Sequence, residues 1–326
     1  MTISPKPLAL VIGATGGIGG ALADRLQIAG WRVRAMNRNP DPGRAGRADL
    51  EWVKGDAMVE ADVVSAARGA RIIVHAANPA DYKNWAGLLM PMLNNSIAGA
   101  RASGARLLLP GNVYNYGDDA LPLISETSPQ TPISRKGAIR VQMEDVLRAA
   151  AADGVQCLIV RGGDFFGPKP TGGSWLSRGL LKPGRPVTAV TYPGPLEVPH
   201  AWAYLPDLAE TFVRLLGTEL GPFEVFHFRG QQVTGREFID ALQVAAGRKL
   251  AVRRLPWFAL GVIAPFSEMM REMLEMKYLW DRPVLLDNAR LVAKLGTEPS
   301  TPLPIALRAA LAGMGSLPAE GLSIAA

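Results

Sequence analysis

Five apolar residues in a row, Leu8 to Ile12, begin the patterned part of this chain, and no polar position interrupts them. Such a run suits a strand buried on both faces of a parallel sheet. Gly13, Gly16 and Gly19 follow with spacing GxxGxxG, and a helical pattern runs from about Gly17 to Ala29. Trp31 to Met36 predicts a second strand, ending at Asn37 and Arg38, and Glu51 to Val53 a short third. Arg71 to Ala77 predicts a fourth, and Arg106 to Leu109 a fifth, after a helix that contains Asn94, Asn95 and Ser96. Strand and helix in regular alternation predict an α/β fold, a Rossmann-type doubly wound parallel sheet with right-handed crossovers.

The later pattern is less regular. Residues 168–199 are rich in Gly and Pro, with Thr171, Gly172 and Gly173 at one end and Tyr192 to Pro195 at the other. They read as loops able to overhang a strand-end crevice. His200 and Trp202 follow directly, and His200 could be a proton relay or make a loop hydrogen bond. Phe223 to Phe228 alternates as a strand, Thr234 and Glu237 have capping-box spacing for a helix reaching Ala246, and Leu250 to Leu255 suggests a short strand. Trp257 to Phe266 is wholly uncharged, and Ser267 to Trp280 is a methionine-rich amphipathic stretch. The expected organisation is a dinucleotide-binding part over 1–168, with a returning segment near 200–228, and a smaller C-terminal substrate-binding part over 169–199 and 229–326.

Composition changes this picture little. The 326 residues are 48% hydrophobic and 20% charged, an ordinary globular balance. A net charge of +6 raises nucleic acid as a partner, but the basic residues are scattered rather than interleaved with aromatics. Cys157, the single cysteine, lies in the apolar run Val155 to Val160 and reads as a small buried hydrophobe. No stretch reaches the apolar length that spans a membrane. The expected setting is cytoplasmic, with a small-molecule substrate, a homodimer allowed, and neither nucleic acid, membrane nor metal as a partner.

Glycines between a buried strand and a helix supply a sharp turn, close ligand approach and tight packing, while the helix's first N–H groups face a phosphate. That makes Gly13, Thr15, Gly16, Gly17, Ile18 and Gly19 candidates for holding a dinucleotide diphosphate. At the end of the second strand an acidic residue would bind the ribose 2′-hydroxyl of NAD, yet the positions there are Asn37 and Arg38. A guanidinium suits a 2′-phosphate, so NADP(H) is favoured over NAD(H). Asp56 could accept from adenine or merely cap the next helix. Ala76, Ala77 and Asn78, and later Gly163, give the small strand-end surface across which a cofactor lies.

These motifs resemble the extended short-chain dehydrogenase/reductase family, also called the NAD-dependent epimerase/dehydratase family. GATGGIG at 13–19 is similar to its glycine motif, Val74 to Ala77 to its VxHxAA strand end, and Tyr116-Gly117 to its YG. Val160 to Pro168 resembles its RxxxxxGP signature, and Tyr204 to Leu208 its VxDL segment. The resemblance implies an oxidoreductase or epimerase that moves hydride between the nicotinamide and a carbonyl or hydroxyl carbon. It also implies a Ser or Thr four residues before Tyr116 and a YxxxK pair on the following helix. Here Asn112 stands in place of the hydroxyl, and Lys136 and Arg140 make KxxxR in place of YxxxK. Three accounts follow. Lys136, with its pKa lowered by Arg140, donates the proton while Asn112 holds the carbonyl. Alternatively Tyr114 or Tyr116 is the acid, or the chain binds NADP(H) without turnover as a redox sensor.

Overall fold

The computed structural model describes residues 6–41, 46–79, 84–169 and 174–317. Part of the loop after the second strand, with Pro42 and Gly43, and the Thr171–Gly173 stretch lie outside the described residues.

The chain runs β1 (Leu8–Ile12), α1 (Gly17–Ile28), β2 (Arg32–Asn37), β3 (Glu51–Lys54), α2 (Glu60–Ala66), β4 (Ala70–His75), α3 (Trp85–Ser103), β5 (Arg106–Gly111) and the short β6 (Leu123–Ile124). It continues through α4 (Arg135–Ala152), β7 (Cys157–Arg161), β8 (Asp164–Phe166), β9 (Ala189–Tyr192), β10 (Pro199–Tyr204), α5 (Leu205–Leu216), β11 (Phe223–His227) and β12 (Gln231–Thr234). The remainder is α6 (Gly235–Ala246), β13 (Ala251–Arg254), α7 (Trp257–Ile263), α8 (Glu268–Glu275), α9 (Tyr278–Asp281), β14 (Leu285–Leu286), α10 (Ala289–Leu295) and α11 (Leu303–Gly313).

Seven strands form one parallel sheet in the order β11-β7-β5-β4-β1-β2-β3. The order turns back between β1 and β4, and ligands of doubly wound sheets bind outside the carboxyl ends of the strands at such a switch point. Each central strand feeds two cores by simple alternation. Leu8, Leu10 and Ile12 pack on the side of α2, α3 and α4, while Ala9 and Val11 pack against α1 and α5. In β7, Cys157 and Ile159 face one way and Leu158 and Val160 the other. This two-sided burial is why these strands read as unbroken apolar runs.

Outside the parallel sheet lie a three-stranded sheet β12-β10-β8 and the pairs β9-β13 and β6-β14. Several elements here differ from expectation. The region read as loops includes β9 and one irregular helical turn at Leu176–Leu180, and His200 and Trp202 sit within β10, where Ala201, Trp202 and Ala203 are fully buried. The methionine-rich stretch divides into α8 and α9, and α11 packs against α6. The expected capping box is present: Thr234 Oγ1 accepts from Glu237 N–H at 3.2 Å, and Glu237 accepts from Thr234 N–H at 2.8 Å. No helix among the described residues is long and apolar enough to cross a membrane.

Candidate active site

Gly13 ends β1 with φ +98°, and a Cβ on it would lie 2.6 Å from the carbonyl carbon and oxygen of Ala76. Gly19, one turn into α1, would place a Cβ 2.2 Å from the Gly13 carbonyl oxygen. The glycines therefore press the start of α1 onto β1 and the end of β4, closer than any other residue allows. Gly16 N–H donates to Gly13 O at 2.9 Å, and the helix then begins at Gly17 with no acidic residue in its first turn. Gly163 completes the small surface, since a Cβ there would meet Ala201 O at 2.1 Å.

Two clefts open along this carboxyl edge and share Gly16. The first, about 460 Å³, is lined by Thr15, Gly16, Asn37, Asn39, Asp41, Arg47, Trp52 and Lys169. The second, about 340 Å³, runs past Gly17, Ile18, Ala76, Ala77, Asn78 and Gly163 to Asn112, Tyr114, Arg140 and Asp164. They lie on either side of Gly16, one at the end of β2 and the other past the ends of β4 and β5.

The structure brings together most of the residues expected to hold the cofactor. Thr15, Gly16, Gly17, Ile18, Asn37, Ala76, Ala77, Asn78 and Gly163 all line the two clefts, and Gly13 and Gly19 lie directly beneath. Arg38 is exposed and is not part of the first cleft's wall; the cations that line it are Arg47 and Lys169. Arg47 is held by Asp24 at 2.7 Å and Asp49 at 3.0 Å, and Lys169 by Asp24 at 3.1 Å. Asp56 does not reach either cleft. Its carboxylate accepts from Met58 N–H at 3.0 Å at the turn leading into α2.

The four candidate catalytic residues separate into two pairs. Asn112 and Arg140 line the second cleft. The Asn112 side-chain oxygen accepts from Tyr114 N–H at 3.0 Å, and the Arg140 guanidinium lies 5.1 Å from the Trp85 ring and 3.4 Å from Asn78 Oδ1. Tyr116 and Lys136 point elsewhere. Tyr116 is 1% exposed and takes part in a buried network below the cleft with Arg161 and His227; burial pushes its phenol well above the ordinary range. Lys136 is equally buried, and its ammonium pairs with Glu272 and with Glu275 at 3.1 Å, both on α8, and donates to Glu272 O at 3.0 Å.

His75, in the stretch similar to the VxHxAA strand end, forms part of the wall of the second cleft. Ser96 Oγ donates to Met92 O, so His75 Nδ1–H donates to Ser96 Oγ at 2.8 Å, and Nε2 is buried without a protein partner. Burial, helped by Arg140, lowers its pKa to about 3, so the ring is neutral. Cys157 is buried, and its thiol is pushed up to about 11 by desolvation, which makes it inert as expected.

Sequence reasoning passed over Asp164. It follows Gly163 into β8 and lines the second cleft, where its carboxylate lies 2.7 Å from His200 Nε2. His200 Nδ1–H donates to Leu279 O at 3.2 Å, and the ring is stacked on Trp280 at 3.9 Å. Both ring nitrogens thus face oxygen atoms, and the buried ring fixes the Asp164 carboxylate at the cleft wall. The available signal was an ionisable residue inside the RxxxxxGP-like segment, together with the histidine that opens the next buried stretch.

A doubly wound sheet, a glycine cradle at its switch point and clefts on both sides of it over the strand ends define a dinucleotide-dependent α/β enzyme. The chain belongs to the NAD dependent epimerase/dehydratase family, whose model matches residues 9–227. Its fold is similar to that of MoeE5, solved with UDP-glucose and NAD, at 17% identity, TM-score 0.72, and 94% and 98% of the two chains covered. It is also similar to UDP-N-acetylglucosamine 4-epimerase from Bacillus cereus, at 13% identity, TM-score 0.71, covering 96% and 98%. The UDP-glucose 4-epimerase of Thermus thermophilus, solved with NAD, shares 19% identity at TM-score 0.70 over 94% and 98%. No curated protein sequence matches the chain.

Proposed function

We propose that this protein is an NADP(H)-dependent oxidoreductase or epimerase-type enzyme acting on a carbonyl or hydroxyl carbon of a small organic molecule. The observation that carries this reading is the pair of clefts on either side of the glycine cradle, one reaching Asn37 and the other Arg140. When bound, the nicotinamide would supply or accept hydride. The N–H groups of Gly17 and Ile18 would hold the diphosphate at the start of α1, with Gly16 leaving room for it. Asn37 presents no carboxylate to repel a 2′-phosphate, Arg38 follows it directly, and Arg47 and Lys169 line the same cleft as Asn37. NADPH at saturating concentration is therefore expected to raise the melting temperature more than NADH does. Equal shifts, or a larger one with NADH, would reverse the cofactor assignment.

In the other cleft, Asn112 and Arg140 are suited to holding a substrate oxygen as it gains charge. The proton is assigned to Asp164, because Lys136 is held by the α8 carboxylates and Tyr116 is sealed beneath the cleft. Asp164 would exchange the proton with the substrate and solvent of the cleft, while His200, 2.7 Å away, would hold its carboxyl in position. Oxidation of NADPH, followed by its absorbance across a panel of aldehydes and ketones, tests the activity. With a substrate found this way, Asp164→Asn is expected to lower kcat by about 10²–10⁴ while the NADPH-induced melting shift stays unchanged. A variant with undiminished kcat would remove Asp164 from the proton path. The redox-sensor reading predicts NADPH binding without bleaching on any member of the panel.

A further inference from the structure

The smaller part carries an apolar surface that the two clefts do not use. Phe258 and Phe266 are 87% and 91% exposed, the highest values of any large apolar residue, and Val252, Val262 and Ile263 are exposed beside them. The inner edge of α7 is anchored: Trp257 Nε1–H donates to Pro193 O at 2.6 Å, and Ala264 is buried. Phe258 and Val262, four residues apart, share the outward face. The surface is thus a firmly seated outer face, with five large apolar side chains gathered within fifteen residues.

Its charge indicates what covers it. From Val244 to Ser267 the chain has four cations, Arg248, Lys249, Arg253 and Arg254, and no carboxylate. All four cations are exposed, and among the described residues none is in an ion pair. Arg253 and Arg254 lie on β13, which pairs only with β9 and leads directly into α7. A protein core would be covered by a partner matching its shape, with its own charges set against these arginines. On α8, which packs against α7, Glu272 and Glu275 are neutralised by Arg135 and Lys136, so the unpaired charges of this stretch are cations. A short exposed apolar face next to such cations matches a lipid surface, where aromatic rings enter the headgroup boundary and cations meet anionic headgroups. We propose that α7 and the β13 arginines form a peripheral docking site for an anionic membrane surface, lying on the bilayer without crossing it.

Co-sedimentation of the full chain with vesicles tests this. Vesicles of phosphatidylcholine with phosphatidylglycerol are expected to pull the protein down, vesicles of phosphatidylcholine alone to leave it in solution, and added salt to weaken the binding. Phe258→Glu with Phe266→Glu should cut binding by about tenfold or more. Arg253→Gln with Arg254→Gln should cut it by about tenfold. All four side chains are exposed, so melting temperature and circular dichroism should match the parent in both double variants, which separates lost docking from lost folding. Failure to bind either vesicle, or binding unchanged by the phenylalanine substitutions, overturns the proposal. So does a dimer in sedimentation velocity that the phenylalanine substitutions dissociate while vesicles bind neither form, since the face would then belong to a second copy.

Discussion

Gly19→Ala is expected to abolish the NADPH-induced rise in melting temperature and to destabilise the chain by about 3 kcal/mol. The added Cβ would lie 2.2 Å from the carbonyl oxygen and 2.7 Å from the carbonyl carbon of Gly13, both backbone atoms without a rotamer to yield. Only a shift of α1 away from β1 relieves the clash. That shift displaces the N–H groups of Gly17 and Ile18, which line the cleft. Gly30→Ala is the matched control. Gly30 has φ +87° but nothing within 4 Å of its added Cβ, so it tests backbone strain alone, at about 1 kcal/mol. Coenzyme binding should survive in the Gly30 variant and fail in the Gly19 variant. If both bind NADPH alike, the close approach of helix to strand does not shape the site.

The same contacts explain why the cofactor half of the site was legible from the residues. Leu8 to Ile12 is apolar throughout because both sheet faces are covered, and the glycines follow because the backbone of Ala76 leaves no room for a side chain. Both constraints act between neighbours in sequence or between adjacent strands, so they leave a local mark. Lys136 and Arg140 were less tractable. Helical pitch puts them on one side of α4, and this is correct as far as it goes, but it does not state what packs there. The partners of Lys136, Glu272 and Glu275, come from α8, more than 130 residues later, and turn its ammonium away from the cleft. Arg140 stays at the cleft because Trp85 and Asn78 lie beside it. Arg38 was favoured for its place in the motif, whereas Arg47 and Lys169 reach the cleft from segments that no local pattern connects. His200 was open to a relay or a loop hydrogen bond, but the nearby prolines resemble loop signals, so neither its buried strand nor its partner Asp164 was legible.

Glu144→Gln is expected to cost about 3–5 kcal/mol in denaturant unfolding, because it leaves the Arg161 guanidinium buried without its counter-charge. Arg161 is 1% exposed. Its Nε–H donates to Glu144 Oε1 at 2.9 Å, a second nitrogen pairs with Glu144 Oε2, and Nη1 reaches Tyr116 Oη at 2.5 Å and His227 Nε2 at 3.0 Å. Burial and Arg161 lower the His227 pKa to about 3, so that ring is neutral, donating through Nδ1–H to Ile124 O and accepting at Nε2. Converting both charged partners to apolar residues, Glu144→Leu with Arg161→Met, should recover part of the loss. Full recovery is not expected, because Tyr116 and His227 lose a hydrogen-bond partner, at about 1–3 kcal/mol. If the single and double variants are equally stable, the buried charge is not what makes Glu144 necessary. The consequence extends to the cleft, since the network ties the end of β7, just before Asp164, to α4, to β11 and, through Tyr116, to the loop after β5 that carries Asn112. A Cβ on Gly111 would lie only 2.7 Å from Arg161 Cγ, so the two strand ends have little room to adjust separately. Loosening the Arg161 network should therefore lower turnover at temperatures well below unfolding, through the relative placement of the substrate-oxygen and proton-bearing groups.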